Sequence, residues 1–242
     1  MNKFPVIEIF GPTIQGEGMV VGRKTMFVRT AGCDYSCSWC DSAFTWDGSA
    51  KENIKRLTAD EIINQLKELG GDQFDHVTIS GGNPALLAKL NELINPLHDL
   101  GMEVAIETQG SRWQEWFITV DDLTLSPKPP SSGMVTNWEI LDDIIGHLEK
   151  NNRLNKTSLK VVIFNDQDLE YAEKVHQRYP NVSLFLQVGN DQLQEDKISN
   201  LTSYLLDKYE WLINKVVDST TLNSVRVLPQ VHALVWGNKR GV

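Results

Sequence analysis

Seven short apolar runs, each giving way to a different kind of segment, set the strongest limit on how this chain can fold. They are TMFVRT (25–30), HVTIS (76–80), EVAIET (103–108), LTLS (123–126), LKVVIF (159–164), LFLQV (184–188) and VRVL (225–228). Their length and β-branched composition suit buried strands. Stretches of helical length and period lie between many of them, and strands spaced this way pair in parallel through right-handed crossovers. The pattern predicts an α/β fold with about six parallel strands, a barrel or partial barrel rather than a short open sheet. At 242 residues, with no linker-like run, a single domain over 1–242 is expected.

The intervening helices carry their own punctuation. TADEIINQLKEL (58–69) opens with Thr58 and has Glu61 three residues on, a capping-box spacing, and Gly70-Gly71 comes after it. TNWEILDDIIGHLEK (136–150) predicts the same device from Thr136 and Glu139. QDLEYAEKVHQRY stops at Pro180, and ISNLTSYLLDKYEWLINKV (198–216) is the longest candidate helix. In NPALLAKLNELINPLHDL, Pro96 predicts a kink, because proline lacks the amide that a helix interior uses.

The segments just after the strands locate the chemistry. A cysteine loop succeeds TMFVRT, GGNP succeeds VTIS, QG succeeds AIET, PKPP succeeds LTLS, GND succeeds LFLQV and PQVH succeeds VRVL. Glycine, proline and polar residues thus collect at the C-terminal strand ends, where parallel α/β barrels assemble active sites from many loops. Net charge −9 argues against a grip on nucleic acid through phosphates. No apolar run approaches the ~18 residues that span a bilayer, and the opening MNKFPVIEIFG has no signal-peptide pattern. Cytoplasmic residence without membrane attachment is the expectation.

All three cysteines, Cys33, Cys37 and Cys40, fall in one eight-residue window. In a chain expected in a reducing compartment this argues against disulfides and for metal or redox chemistry. The spacing x3 then x2 lets three thiolates reach one cofactor. A four-iron cluster usually takes four thiolates, so three leave one iron open. Zinc with a distant histidine, His76 or His232, is a competing reading, as are a redox pair at Cys37 and Cys40 and three inert buried thiols. His232 by itself reads as a core histidine.

Cys-x3-Cys-x2-Cys with Trp39 before the last cysteine resembles the signature of radical S-adenosylmethionine (SAM) enzymes. The stretch SGGNP (80–84) resembles that superfamily's GGEP loop, with Asn83 where glutamate is usual. QGEG (15–18), an arginine before the first cysteine, SPKPP (126–130) and the tail WGNKRGV together resemble one family within it, the 7-carboxy-7-deazaguanine synthases. The match runs from about Glu8 to the last residue.

That resemblance implies a radical SAM partial barrel holding a [4Fe–4S] cluster on Cys33, Cys37 and Cys40. It implies SAM bound through Trp39, Cys40, Asp41, Gly82, Ser126, Pro127 and Lys128, with no protein side chain acting as catalytic acid or base. The implied substrate is 6-carboxy-5,6,7,8-tetrahydropterin, held by Ile14, Gln15, Gly16, Glu17, Arg29, Ser80 and the terminal carboxylate of Val242. A deoxyadenosyl radical takes the C6 hydrogen, the ring contracts with loss of ammonia, and 7-carboxy-7-deazaguanine forms, a carbon–nitrogen lyase step in queuosine biosynthesis. The resemblance further implies Mg2+ on Ser42, an electron donor such as flavodoxin or ferredoxin, and a homodimer. An activase of a glycyl-radical partner and a non-catalytic zinc module are the alternatives. Contacts through the Asn83 side chain are left open, since an amide brings no full charge.

Overall fold

A computed structural model describes residues 2–195 and 197–242. In chain order, the strands are β1 (Phe4–Ile14), β2 (Lys24–Thr30), β3 (Lys55–Leu57), β4 (His76–Gly81), β5 (Glu103–Thr108), β6 (Asp122–Leu125), β7 (Thr157–Ile163), β8 (Ser183–Val188) and β9 (Arg226–Leu228). They form one sheet in the order β3-β1-β2-β4-β5-β6-β7-β8-β9. From β2 onward every pairing is parallel, whereas β1 runs antiparallel to both β2 and β3. All seven runs expected as strands are strands, and together they make the parallel part of an open, partial barrel. β9 is only three residues long.

The helices are α1 (Ala59–Gly70), α2 (Asn91–Asp99), α3 (Trp138–Lys150), α4 (Asp166–Arg178), α5 (Ile198–Val217) and α6 (Val231–Trp236). The capping box at α1 forms as expected. Thr58 Oγ1 accepts from the Glu61 amide at 3.2 Å, and Glu61 Oε2 accepts from the Thr58 amide at 2.7 Å. At α3 the cap shifts by one residue. Asn137 Oδ1 accepts from the Ile140 amide, while the Thr136 hydroxyl lies 2.6 Å from the Tyr171 hydroxyl and donates to Lys128 O. The segment around Pro96 breaks before Asn91, leaving Pro96 inside α2.

Two-residue alternation along the strands separates core from site. Val28, Ile79, Ile106, Leu125, Leu159 and Val161 are fully buried in one apolar core that includes Leu66 of α1, Leu97 of α2 and Leu148 of α3. Their strand neighbours Arg29, Ser80, Glu107, Ser126 and Lys160 all line a cavity. Each strand therefore puts a greasy residue outward, under the helices, and a polar one inward. His76 begins β4, five residues from that strand's far end; its Nδ1 lies 2.8 Å from Thr25 Oγ1, and burial holds the imidazole down at about 4, neutral near pH 7.

Candidate active site

A cavity of about 400 Å³ opens at the C-terminal strand ends and runs from the cysteine loop to the C-terminal tail. Cys33, Cys37 and Cys40 all line it, on a loop anchored at several points. The Ser38 amide donates to Ser132 O at 3.0 Å, Ser38 Oγ to Ser131 O at 2.8 Å, and Trp39 Nε1 to Ser131 Oγ at 3.0 Å. These bonds fasten the cysteines to the segment after β6.

On its other side the loop is zipped to the glycine loop after β4. The Gly82 amide donates to Thr30 O at 3.0 Å, and the Asn83 amide to Gly32 O at 2.8 Å. A Cβ at Gly82 would lie 2.0 Å from Gly32 O, so no larger residue fits there. The backbone at Gly82 is therefore bare where it borders the cavity.

The sulfurs suit a metal cluster. Burial pushes the Cys37 thiol up to about 11 and raises Cys33 as well. Thiols desolvated in this way give up protons when a cation takes their place. Two side-chain N–H groups already point at sulfur: Gln109 Nε2 at Cys33 Sγ and Trp46 Nε1 at Cys40 Sγ, each at 3.5 Å. Donors of this kind orient ligand sulfurs and tune the iron they bind. The residues present thus fit an iron–sulfur cluster.

The same cavity holds a buried charge network. Lys160 Nζ sits 2.5 Å from Glu17 Oε2 and 3.6 Å from Glu107 Oε1, with its side chain 6% exposed. Gln230 Nε2 donates to Glu17 Oε1 at 2.9 Å, and Gln15 Nε2 to Glu107 Oε1 at 3.4 Å. Burial pushes the Glu17 carboxyl upward, but the Lys160 ammonium and His232 outweigh it and hold it at about 2. Burial likewise opposes the Lys160 charge, yet Glu107 and Glu17 raise its pKa above the usual lysine range. Gly16 is required here, because a Cβ would come within 2.8 Å of His232 Nδ1.

Arg29 pairs with Glu8 at 3.2 Å and lies over the Phe10 and Phe44 rings. Glu8 also takes Arg240 Nε at 3.0 Å, while the Arg240 guanidinium sits 3.5 Å from the Phe44 ring centroid. The tail is thereby latched over the site, and residues 237–242 line the cavity. Ser42 Oγ donates to Asp41 Oδ1 at 2.8 Å. Ligand atoms of Asp41, Glu17 and His232 lie within 4.8 Å of one another. Lys128 Nζ donates to Ser126 Oγ at 3.1 Å and lies 5.8 Å from the Trp39 ring.

The cavity brings together Ile14, Gln15, Gly16, Glu17, Arg29, the cysteines, Trp39, Asp41, Ser42, Ser80, Gly82, Ser126, Lys128 and Val242. Pro127 does not line it, although Ser126 and Lys128 on either side of it do. His232 lines the cavity instead of filling the core, because α6 packs on the Gly16 loop, whose carbonyl accepts from the Val231 amide at 3.2 Å. The Asn83 side chain also points elsewhere. Sequence reasoning misses Glu107, Lys160, Gln109 and Gln230 as site residues. Their only sequence signal is a lone polar residue inside or just after an apolar strand, facing the same way as Arg29 and Ser80.

The family model described as Radical SAM superfamily matches residues 27–126. The chain is 63% identical over 238 residues to a 7-carboxy-7-deazaguanine synthase from Bacillus subtilis (strain 168), covering 98% of each chain. It is 60% identical over 242 residues to one from Bacillus cereus, with complete coverage of both. Among solved structures, its fold is similar to that of QueE from Escherichia coli, with a TM-score of 0.66, 21% identity and 95% of each chain covered.

Proposed function

The chain belongs to the 7-carboxy-7-deazaguanine synthase family of the radical SAM superfamily, and from this premise we propose how its own residues divide the work. The reaction converts 6-carboxy-5,6,7,8-tetrahydropterin to 7-carboxy-7-deazaguanine with loss of ammonia, the carbon–nitrogen lyase step of queuosine biosynthesis. The [4Fe–4S] cluster and SAM supply the one-electron chemistry that removes hydrogen from the substrate's C6. Cys33, Cys37 and Cys40 would hold the cluster through their three thiolates. Trp39, Cys40, Asp41, the Gly82 backbone, Ser126 and Lys128, which all line the cavity, are the groups proposed to hold SAM.

The observation that carries this reading is one cavity lined both by the three cysteines and by the Glu17–Lys160–Glu107 network. A 2-amino-4-oxo ring needs both donors and acceptors, which Gln15, Glu17 and the Gly16 backbone offer together. Gln230 Oε1 is buried with no hydrogen-bond partner among the described residues, a further acceptor for that ring. Such a site rejects analogues that lack the matching groups more strongly than an apolar pocket does. Arg29 and Ser80 complete the substrate contacts. Magnesium goes to Ser42, with Asp41 beside it, hard oxygen donors of the kind that ion takes. Electrons come from a flavodoxin or ferredoxin, and the protein works as a single-domain cytoplasmic homodimer. Among the described residues no helix is long and apolar enough to cross a membrane.

Incubation of reconstituted protein with reductant, SAM, magnesium and the carboxytetrahydropterin, with products identified by mass, tests the reading. A deazaguanine carboxylate supports it; an untouched pterin removes it and favours an activase.

The tail gives a separate expected result. Arg240 draws it onto Glu8 and Phe44, and the Val242 carboxylate is proposed to accept hydrogen bonds from the pterin. Residues added after Val242 should lower turnover about tenfold or more, since small misplacements at a site are costly. The same extension before the N-terminus should do far less. Equal steady-state rates of the two extended forms would remove the role of the tail.

A further inference from the structure

We propose that Gln109 is a positioning residue for the cluster: it ties the Cys33 sulfur to the Asp34 carboxylate, Asn83 holds that carboxylate in place, and the set tunes the cluster's reduction potential. The inference rests on the reading of the three cysteines as cluster ligands. Gln109 comes directly after β5 and is 6% exposed. Its Nε2 carries two hydrogens and two acceptors lie in reach, Asp34 Oδ1 at 2.5 Å and Cys33 Sγ at 3.5 Å. The direction of this amide is fixed, since its oxygen could not serve either acceptor.

Asn83 is fixed in the same way. It is 1% exposed, and its Oδ1 accepts from Thr108 Oγ1 at 2.7 Å and from the Ala85 amide at 3.1 Å. Its Nδ2 therefore faces Asp34 Oδ1 at 2.8 Å and Ser111 Oγ at 3.0 Å. Ser111 Oγ in turn donates to Asp34 Oδ2 at 2.7 Å. A carboxylate at position 83 would set two like charges at hydrogen-bond distance and deprive Asp34 of a donor. This is a physical reason for asparagine where the GGEP pattern has glutamate: the loop's negative charge sits on Asp34, next to a cluster ligand. Asp34 lies at the surface, where water and salt weaken long-range repulsion. The geometry of the direct bonds is unaffected by that screening.

Hydrogen bonds to ligand sulfurs are among the terms that set a cluster's potential. An N–H donor favours the reduced form, which carries more negative charge, so its removal lowers the potential. The test is a potentiometric titration of the reconstituted cluster, read by electron paramagnetic resonance, with iron and sulfide measured first. Gln109→Leu should hold its cluster but titrate at a more negative potential. Asn83→Asp should shift in the same direction, and the swapped pair Asp34→Asn with Asn83→Asp should return toward wild type. A wild-type potential in Gln109→Leu at full iron content overturns the proposal. Should Gln109→Leu lose its cluster, the swap decides: a double variant no better than Asn83→Asp also overturns it. Wild-type protein without iron and sulfide would instead sink the cysteine reading beneath it.

Discussion

Replacing Lys160 by methionine should lower kcat/KM by about a hundredfold to a thousandfold. Removing one partner from a buried ion pair costs roughly 3–5 kcal/mol of folding stability, because the remaining charge stays uncompensated, and removing a preorganised polar group from a site typically costs about 10²–10³ in rate. Here the loss strands two carboxylates, Glu17 and Glu107, in one cavity. One of them must take up a proton, and the face that meets the pterin changes its pattern of donors and acceptors. Lys160→Arg keeps the charge and should recover part of the rate. Stability moves too. Glu17 is depressed from its ordinary 4.5 to about 2, so its contribution is fully present above about pH 4.5 and is lost as pH falls toward 2. In Lys160→Met burial is no longer outweighed and pushes the carboxyl upward, so the sign reverses: the protonated form is favoured on folding and stability falls as pH rises above about 4.5. Steady-state kinetics and thermal midpoints across pH read both effects. A methionine variant within tenfold of wild type would contradict the role given to Lys160.

Cys37→Ala should abolish turnover and empty the protein of iron while leaving the fold in place. Cys37 is buried, and trimming its sulfur to a methyl costs about 1 kcal/mol of packing, a small fraction of a domain's stability. The loop itself is held by Ser38 and Trp39 through Ser131 and Ser132, none of which needs the thiol. Cys33→Ala and Cys40→Ala should behave alike, since each iron that loses its thiolate opens the cluster to solvent. Circular dichroism checks the fold, and iron, sulfide and product yield check the site. Three inert core thiols would predict the opposite: retained activity in all three variants.

The architecture is legible where one residue type fills a strand. The run EVAIET can be bounded from sequence because it lies between turn signals and its outward Val104 and Ile106 are apolar. β1 does not read as a strand. Gly11-Pro12 interrupts it and its register shifts there, so it resembles a loop until it is paired with β2. The cap at α3 slides to Asn137 because Tyr171 claims the Thr136 hydroxyl, a contact across 35 positions that local spacing does not contain.

The site divides in the same way. Cys33, Cys37 and Cys40 are legible because one loop holds the whole constellation, and Gly82 because its loop sits on the very next strand of the sheet. Lys160 and Glu107 lie on β7 and β5 with β6 between them, and Glu17 precedes both by far. Only strand order and the inward side of the alternation bring them together. Pro127 illustrates the converse, since it sits between two cavity residues and does not line the cavity.

Anaerobic reconstitution of the wild-type protein, then iron and sulfide analysis and electron paramagnetic resonance of the reduced state with and without SAM, tests the central claim most directly. Three thiolates holding a cube with one exposed iron predict roughly four iron and four sulfide per chain, and a spectrum that changes when SAM is added. A colourless protein carrying zinc, or a cluster whose spectrum ignores SAM, would contradict it.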